Sequence, residues 1–347
     1  MASLNYTTRL ANLQNRKFDR ELKESVTSRS FGTGQVPEDV KYLLESMHPI
    51  DKKYNDKTLL AASRVQTHLE SGLKLHFDRV YRTQGSVKTD TNIRAHSDFD
   101  LLTIIDKYFY PQIYPSNPYT QSDPNVDIKE LRIQATNILK KIYDKVDDSH
   151  EKCISIINKS LDRKVDIVFG YWYNSEKYEE TKHERNDEYY RGIYFYKFPN
   201  GPKYSKADFP FAHIYQVNEK GDSTKDGLRR AIRLLKNLKA DSEVEIKNLK
   251  SFQITSIAYP IDEKDLTYKP GNELHIAKSV SNQMQKIIEN PAYRKSIKSP
   301  NGTEYSLAND DLVPDIINLK RDLDTLIEDA TKDIVGSYAI ERAILSY

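Results

Sequence analysis

The sequence is poor in cysteine, in uninterrupted apolar runs and in net charge. Its single cysteine, Cys153, excludes an internal disulfide and a zinc site built from several thiolates. No run of about 18 consecutive apolar residues occurs, and the polar N-terminal segment lacks the apolar core of a signal peptide. We therefore expect a cytoplasmic protein with no membrane segment.

The net charge is only +2, because 53 basic side chains are balanced by 51 acidic ones. No overall field is then expected to attract the protein to nucleic acid or to anionic lipid, and any phosphate-binding charge must be local. Charged residues make up 30% of the chain and hydrophobic residues 38%, which suffices for a core beneath a solvated surface. A length of 347 residues allows two such cores.

Hydrophobic patterning divides the chain into three parts. Residues 1–35 are polar and end in the Ser/Gly-rich stretch SRSFGTGQ, which predicts a loosely held arm. Residues 36–215 mix helical and strand-like patterns, whereas residues 216–347 are almost wholly helical. We predict an α+β fold: one lobe with a mixed sheet and helices, a mainly helical C-terminal lobe, and an active site in the cleft between them.

Individual elements follow from the same patterns. Strands are predicted in the segments around residues 77–82, SDFDLLTIID, CISIIN, KVDIVFGYWY and GIYFYKF, because β-branched and aromatic residues concentrate there. Helices are predicted from residues 37 and 56 onwards and over about 128–146, 224–240, 251–259, 274–290 and 312–345. CISIIN and KVDIVFGYWY are expected to be neighbouring strands.

The most informative motif is QGS at residues 84–86, followed by Asp98-Phe99-Asp100 at the start of the apolar run LLTII. Carboxylates at positions i and i+2 of a strand point to the same face and can share a cation. Magnesium prefers hard oxygen ligands and commonly leaves part of its shell to triphosphate oxygens. Asp98 and Asp100 are therefore predicted to hold a metal-bound nucleotide.

A third carboxylate, Asp166, is the single acid of the apolar segment VDIVF. An ionised carboxylate in such a run needs a cation, a hydrogen-bond network or solvent. A second metal ion would satisfy it, and two ions can promote the in-line displacement of nucleotidyl transfer. We expect two Mg²⁺ ions, with Mn²⁺ as an alternative, held by Asp98, Asp100 and Asp166.

The Gly85-Ser86 step suits the phosphate end of a nucleotide, because glycine allows close backbone approach and the serine hydroxyl can donate to oxygen. Each residue also has an ordinary structural explanation. Asp98 could cap a turn, Asp100 could pair with a surface lysine, Asp166 could be an edge-strand acid, and Gly85-Ser86 could be a plain turn. Their joint order and spacing favour catalysis.

The order GS, DFD and a later lone Asp on a strand resembles the signature of the DNA polymerase beta-like nucleotidyltransferase superfamily. Within it, YRTQGSVKTDTNIRAHSDFDLLTII is similar to the bacterial CD-NTases, the cyclic GMP-AMP synthase and DncV-like enzymes of anti-phage CBASS systems. The resemblance runs from about residue 40 to the C-terminus and is most specific at residues 82–105 and 164–169. It implies catalytic roles for the three aspartates and a nucleotide-binding loop formed by Gln84, Gly85 and Ser86, with Ser86 contacting the triphosphate.

The resemblance implies a cyclic oligonucleotide synthase. Such an enzyme joins nucleoside triphosphates, with release of pyrophosphate, into a cyclic di- or trinucleotide that acts on a separate effector protein in anti-phage defence. We expect a monomer, and no activation by double-stranded DNA because the zinc insertion of the animal enzymes is absent. One alternative is transfer to an RNA end, a small molecule or a protein, although no basic track for RNA is evident. Another is a degenerate binding module, which would not need three acids.

The segment KDGLRRAIRLLKNLKAD carries a basic stripe at Arg229, Arg233 and Lys236 beside an apolar one. A solvated helix face is the plain explanation of this stripe. The resemblance instead implies that a lysine of this helix contacts the donor phosphates, which matches Lys236 best and Arg233 second. Ser251 and Phe252 match a family pair that touches phosphate and stacks on a base, although Phe252 also suits a core.

Two further groups near these motifs are assigned no catalytic role. His96 lies two residues before Asp98, yet a lone histidine beside an aspartate is typical of a hydrogen-bonding surface group. Tyr194 and Tyr196 alternate on a predicted strand, which favours covering a sheet face over lining an acceptor pocket.

Overall fold

The structure is a computed structural model that describes residues 4–18, 36–95, 99–111, 122–181, 188–199 and 207–345, without the side chains of residues 110–111 and 336–345. The chain forms two compact units. The helical unit comprises residues 1–50, 90–95 and 216–347, and the sheet unit comprises residues 51–89 and 96–215. The three-part division predicted above rested on sequence patterns and stays a prediction. Among the described residues, no helix has the length and apolar character needed to cross a membrane.

The α-helices in chain order are α1 (Tyr6–Lys17), α2 (Glu38–Met47), α3 (Lys52–Gly72), α4 (Pro124–Ile142), α5 (Glu176–Thr181), α6 (Pro210–Ser223), α7 (Gly227–Asp241), α8 (Ser251–Ala258), α9 (Glu263–Leu266), α10 (Glu273–Glu289), α11 (Pro291–Ser296) and α12 (Val313–Leu345). Short 3₁₀ helices cover Ser86–Thr89, Glu188–Tyr190 and Asp310–Leu312. Asp51 and Asp123 cap α3 and α4 by accepting backbone N–H groups of the first turn. The predicted helices are confirmed within a few residues at each end.

The strands are β1 (Arg79–Gln84), β2 (Asp100–Pro111), β3 (Val146–Asp147), β4 (Cys153–Asn158), β5 (Arg163–Asn174) and β6 (Arg191–Phe195). They form one sheet of order β1-β2-β5-β4-β3, and β6 also pairs with β5. β2 and β5 are parallel, whereas the other pairs are antiparallel. The predicted mixed sheet, the adjacency of β4 and β5, and the α+β class are confirmed.

Alternation along β5 separates a core face from a polar face. Val165, Ile167 and Phe169 are fully buried in a cluster that includes apolar residues of α3 and α4. Asp166 lies between the first two and therefore points to the opposite face, because side chains of a strand alternate. Burial of the apolar set thus determines which face presents the carboxylate.

The helical unit has a separate apolar core. Its buried residues come mainly from α2, α7, α8, α10 and α12. In α7, Leu228, Ile232, Leu235 and Leu238 are fully buried, as their helical spacing predicts.

Helix α1 is the main difference from the prediction, which placed these residues in a loosely held polar arm. Its only described buried apolar residues are Leu10 and Leu13, so its hydrophobic pattern is weak. Polar contacts with α12 add to this packing: Arg9 donates to Asp322 at 2.8 Å, and the Tyr6 hydroxyl donates to Asp329 at 2.7 Å. Such long-range pairs have no signature in the local sequence.

Candidate active site

The QGS motif lies where β1 ends. Gln84 is the last residue of the strand, and Gly85 has a φ angle of +114°, a conformation that a residue with a Cβ adopts at a cost. The chain then enters the 3₁₀ helix Ser86–Thr89, in which the Lys88 N–H donates to the Gly85 carbonyl at 3.1 Å. The predicted sharp turn is confirmed, and it requires glycine at this position.

Asp100 and Asp166 lie side by side in the sheet. Asp100 begins β2, and its register partners are Gln84 on antiparallel β1 and Asp166 on parallel β5. Paired residues of neighbouring strands point to the same face and are about 5 Å apart. The Gln84 amide donates to Oδ2 of Asp100 at 3.0 Å, which holds this carboxylate in place. Two of the three predicted aspartates are thus brought together next to the glycine turn.

The carboxylate of Asp166 accepts hydrogen bonds on both oxygens. The Ser155 hydroxyl, on β4, donates to Oδ1, and the Lys164 ammonium donates to Oδ2 at 3.0 Å. The Asp166 side chain is 15% exposed and that of Lys164 is 41% exposed. Asp166 therefore lies at the surface of the sheet with a defined orientation. Strand β5 lies between β2 and β4, so the alternative of an edge-strand acid is wrong.

Asp98 and His96 lie outside the described residues, so the predicted pairing of Asp98 with Asp100 stays a prediction. Strand β2 begins at Asp100, so placement of Asp98 on the same strand face stays a prediction. Phe99 is described: its side chain is fully buried, and its carbonyl accepts the Asp166 N–H at 2.9 Å. This hydrogen bond connects the chain directly before Asp100 to β5.

The donor set on this face suits a hard divalent cation. Asp100 and Asp166 offer carboxylate oxygens on adjacent strands, and the groups that contact them include an amide, a hydroxyl and an ammonium, which all present positively polarised hydrogens. Within the described ranges no group of three or more His, Cys, Asp or Glu side chains could hold a metal ion, and Asp98 lies outside those ranges. The residues present fit a shared metal, with Asp98 as the predicted further ligand.

Cys153 lies on the same face of β4 as Ser155, because the two residues are two positions apart. Its Sγ is 3.9 Å from the Ser155 hydroxyl oxygen. Burial raises the pKa of the Cys153 thiol, and the negative charge of Asp166 raises it further. The thiol is therefore protonated at neutral pH and is a poor nucleophile.

Helix α7 of the helical unit carries the predicted phosphate-binding cations, and it does not present them to bulk water. Arg233 is fully buried and donates to the carbonyls of Met47 at 2.7 Å and Asp90 at 2.6 Å, and to Asp226 Oδ2 at 2.6 Å. Arg229 is largely buried and donates to the side chain of Asp222 at 2.7 Å. The alternative of a solvated basic face is therefore wrong. Nucleotide contact by Arg233 stays a prediction.

Lys236 has an unusual environment for a cation. It is 8% exposed, and its ammonium donates to the carbonyl of Thr91 at 3.0 Å and to the Thr91 hydroxyl at 3.3 Å. Burial lowers the pKa of Lys236 to about 8, and the nearby charge of Arg233 contributes to the decrease. Among the described residues no carboxylate forms an ion pair with it. A buried ammonium without a counter-ion is a candidate anion ligand.

Ser251 and Phe252 begin helix α8. Ser251 is exposed and Phe252 is half-buried, so both are accessible to solvent to some degree. Their predicted contacts with phosphate and base stay predictions. Tyr194 and Tyr196 were predicted to cover a sheet face, and their environments agree with this prediction. Tyr196 is buried, and Tyr194 contacts Tyr173 edge to face, with 5.2 Å between the ring centroids.

Sequence reasoning missed Ser155 and Lys164. Lys164 could have been found, because it lies two positions before Asp166 on the same strand and must share its face. Ser155 could be found only by deriving the register of β4 against β5, which the short turn between the two strands sets.

No protein-family model matches the chain. A c-di-GMP synthase of Capnocytophaga granulosa is 31% identical over 338 residues, which are 90% of this chain and 93% of the relative. A solved structure of the STING-associated CdnE c-di-GMP synthase from that organism, also 31% identical, superposes with a TM-score of 0.79 over 94% of this chain and 99% of the other. A corresponding structure from Flavobacteriaceae sp., 25% identical, has a TM-score of 0.80 over 95% of this chain and 99% of the other.

Identity at this level along nearly the full length of both chains, together with adjacent Asp100 and Asp166 beside the glycine turn, excludes a chance resemblance of fold. The chain therefore belongs to the CdnE cyclic dinucleotide synthases, which are nucleotidyltransferases of the CD-NTase family.

Proposed function

We propose that the chain converts two molecules of GTP into c-di-GMP and two molecules of pyrophosphate. The observation that carries this proposal is the pairing of Asp100 with Asp166 on adjacent parallel strands, in a chain 31% identical to a c-di-GMP synthase along 90% of its length. In each of two steps, a ribose hydroxyl oxygen forms a bond to an α-phosphorus, and the bond from that phosphorus to pyrophosphate breaks. The hydroxyl proton leaves to solvent or to a basic group of the site.

Asp98, Asp100 and Asp166 would hold two Mg²⁺ ions, or Mn²⁺ ions in their place. When bound, such ions supply positive charge that stabilises the attacking and leaving oxygens. The chain's own part is orientation: Gln84 holds the Asp100 carboxylate, and Ser155 holds that of Asp166. A preoriented ligand set lowers the entropic cost of assembling the site.

The triphosphate would be bound by the loop at Gly85 and Ser86. The positive φ of Gly85 brings the chain into a turn without a side chain, so phosphate oxygens can approach the backbone. Lys236 would contact the donor phosphates, which would supply the negative charge that this buried ammonium lacks among the described residues. Ser251 would add a hydrogen bond, and Phe252 would stack on a base.

The product would serve as a second messenger for a separate effector protein in anti-phage defence. The two solved relatives are described as STING-associated, which supports an effector that recognises a cyclic dinucleotide. A cytoplasmic location belongs to the same proposal, since the nucleoside triphosphate substrates are found there.

Incubation of the purified protein with GTP alone, and with all four ribonucleoside triphosphates, tests the proposal. The reactions contain Mg²⁺ or Mn²⁺, are treated with phosphatase and are read by mass spectrometry against synthetic c-di-GMP. The expected product is c-di-GMP from GTP alone. A product that requires a second base contradicts the proposed substrate, and product formation only after addition of an RNA or protein acceptor contradicts cyclisation.

Two variants connect the product to the site. Asp100→Asn keeps the shape of the side chain and removes its charge, and it should abolish product formation. Asp162→Asn is the matched control, because Asp162 is exposed, lies outside the strands and has a φ of +50° that asparagine tolerates. Equal activity of Asp100→Asn and the wild type would exclude this carboxylate from the reaction.

A further inference from the structure

The Asp166 carboxylate is in contact with a cation that belongs to the protein itself. Lys164 and Asp166 are two residues apart on β5, so both side chains point to the polar face of the sheet. The Lys164 ammonium is 3.0 Å from Oδ2, while the Ser155 hydroxyl donates to Oδ1. Both oxygens therefore have donors, and only one of these two donors is charged.

The charge matters because Asp166 has a second carboxylate beside it. Asp100 is its register partner on β2, and it accepts a hydrogen bond on Oδ2 from the uncharged amide of Gln84. Two carboxylates on neighbouring strand positions repel each other unless positive charge is nearby. Lys164 supplies one positive charge to this pair.

The two donors differ in how readily they can leave. The Lys164 side chain is 41% exposed and flexible, so its ammonium can move into water without disturbing the apolar core. The Ser155 side chain is short and belongs to a residue that is 7% exposed within a paired strand. Lys164 is thus an exchangeable donor, and Ser155 is a fixed one.

We propose that Lys164 is a positioning residue that acts as the resident counter-ion of Asp166: it neutralises and orients this carboxylate before a divalent ion binds, and it yields Oδ2 to that ion. This inference rests on the proposed function, because it takes Asp100 and Asp166 as metal ligands. Lys164 would therefore act before the metal ion binds, and it would not contact the reacting atoms.

A resident counter-ion competes with the metal, so its removal has an effect opposite to that of removing a ligand. Lys164→Met should bind the divalent ion more tightly, by roughly threefold to tenfold, since a half-exposed ion pair contributes a modest free energy. Without metal the same variant should melt at a lower temperature, because the two carboxylates then repel each other. Ser155→Ala should instead weaken metal binding, because Oδ1 loses its fixed donor.

The experiment measures Mn²⁺ binding to the full-length protein without nucleotide, by electron paramagnetic resonance of free Mn²⁺ and by calorimetry. The variants are Lys164→Met, Lys164→Gln, Lys164→Arg, Ser155→Ala and Asp166→Asn. Lys159→Met is the matched control, because Lys159 is an exposed lysine paired with Asp144 at 2.6 Å. Melting temperatures are recorded for each protein with EDTA and with Mn²⁺.

The expected result is tighter Mn²⁺ binding in Lys164→Met and Lys164→Gln, affinity close to wild type in Lys164→Arg and Lys159→Met, and loss of binding in Asp166→Asn. The two neutral variants should also show the largest rise in melting temperature on adding Mn²⁺. Unchanged or weaker binding in both neutral variants, with wild-type binding that depends on Asp166, overturns the inference and leaves the proposed metal site standing. Wild-type protein that binds no Mn²⁺ overturns both.

Discussion

Replacement of Lys236 by methionine is expected to increase the free energy of unfolding and to decrease GTP turnover. The ammonium of Lys236 lies within α7 at 8% exposure, with two oxygens of Thr91 as its hydrogen-bond partners. Burial lowers the pKa of this lysine from 10.5 to about 8, which means that the folded protein holds the charged form at a cost. Methionine fills a similar volume without the charge.

The magnitude follows from the shift in pKa. Each pKa unit corresponds to about 1.4 kcal/mol, so the charged form of Lys236 costs the folded state about 3 kcal/mol. Methionine removes this cost but also loses two hydrogen bonds, each contributing about 1 kcal/mol. We expect a net increase of about 1 kcal/mol in the free energy of unfolding at pH 7.

The pH dependence gives an independent check. The folded-state pKa of Lys236, about 8, lies below the unfolded value, so the unfolded chain binds more protons between pH 8 and 10.5. Wild-type stability should therefore gain a contribution as pH rises through that window, and the methionine variant should lack it. The advantage of the variant is complete below pH 8 and disappears towards pH 10.5.

Urea denaturation of wild type and variant at pH 7 and pH 10 measures this difference, and GTP turnover measures the loss of function. Turnover should fall at least tenfold if Lys236 contacts the donor phosphates. Lys239→Met is the control, because Lys239 lies on the same helix and donates to the Leu249 carbonyl. A Lys236→Met protein that is less stable than wild type at pH 7 would refute the argument from burial, and one with full turnover would remove Lys236 from the site.

Three further predictions follow from single contacts. Gly85→Ala should lower the melting temperature and raise the KM for GTP, because alanine at a φ of +114° costs about 1–2 kcal/mol. Calorimetry and initial rates measure these effects, and an unchanged melting temperature would contradict the predicted backbone strain. Arg233→Met should destabilise the protein by about 3 kcal/mol in urea denaturation, because the carbonyls of Met47 and Asp90 lose their hydrogen-bond donor. A loss of turnover without a loss of stability would instead favour contact between Arg233 and the nucleotide. Cys153 should be alkylated by iodoacetamide more slowly than free cysteine at pH 7.5, since burial raises the pKa of its thiol. Mass spectrometry gives the rate, and alkylation as fast as that of free cysteine would contradict the burial of this thiol.

Local patterns in the sequence predicted most of the fold. The segment VDIVF was predicted to be a strand with Asp166 as its single acid, and β5 confirms the strand. The glycine of QGS was expected at a sharp turn, and its positive φ confirms that expectation. In both cases the determining interactions are local, so a few neighbouring residues suffice to predict them.

Other features could not be predicted because they depend on residues far apart in the chain. Helix α1 has little apolar surface of its own and contacts Asp322 and Asp329, more than 300 positions away. Burial of Arg233 was likewise hidden, because its carbonyl partners at Met47 and Asp90 lie outside α7. Periodicity reports which side of a helix is apolar, and it does not report which distant polar groups will cover the other side.

By itself, the sequence determined the chemical groups of this protein: the three aspartates, the glycine turn, and the apolar patterns that produce the strands and helices presenting them. Only the tertiary structure decided which groups meet. Asp100 and Asp166 are 66 positions apart and become neighbours through the parallel pairing of β2 and β5. Ser155 reaches Asp166 through the register of β4 against β5, which the short turn between these strands sets. The pairing of β2 with β5 instead joins distant segments, so it arises from packing of the whole chain and has no local signal.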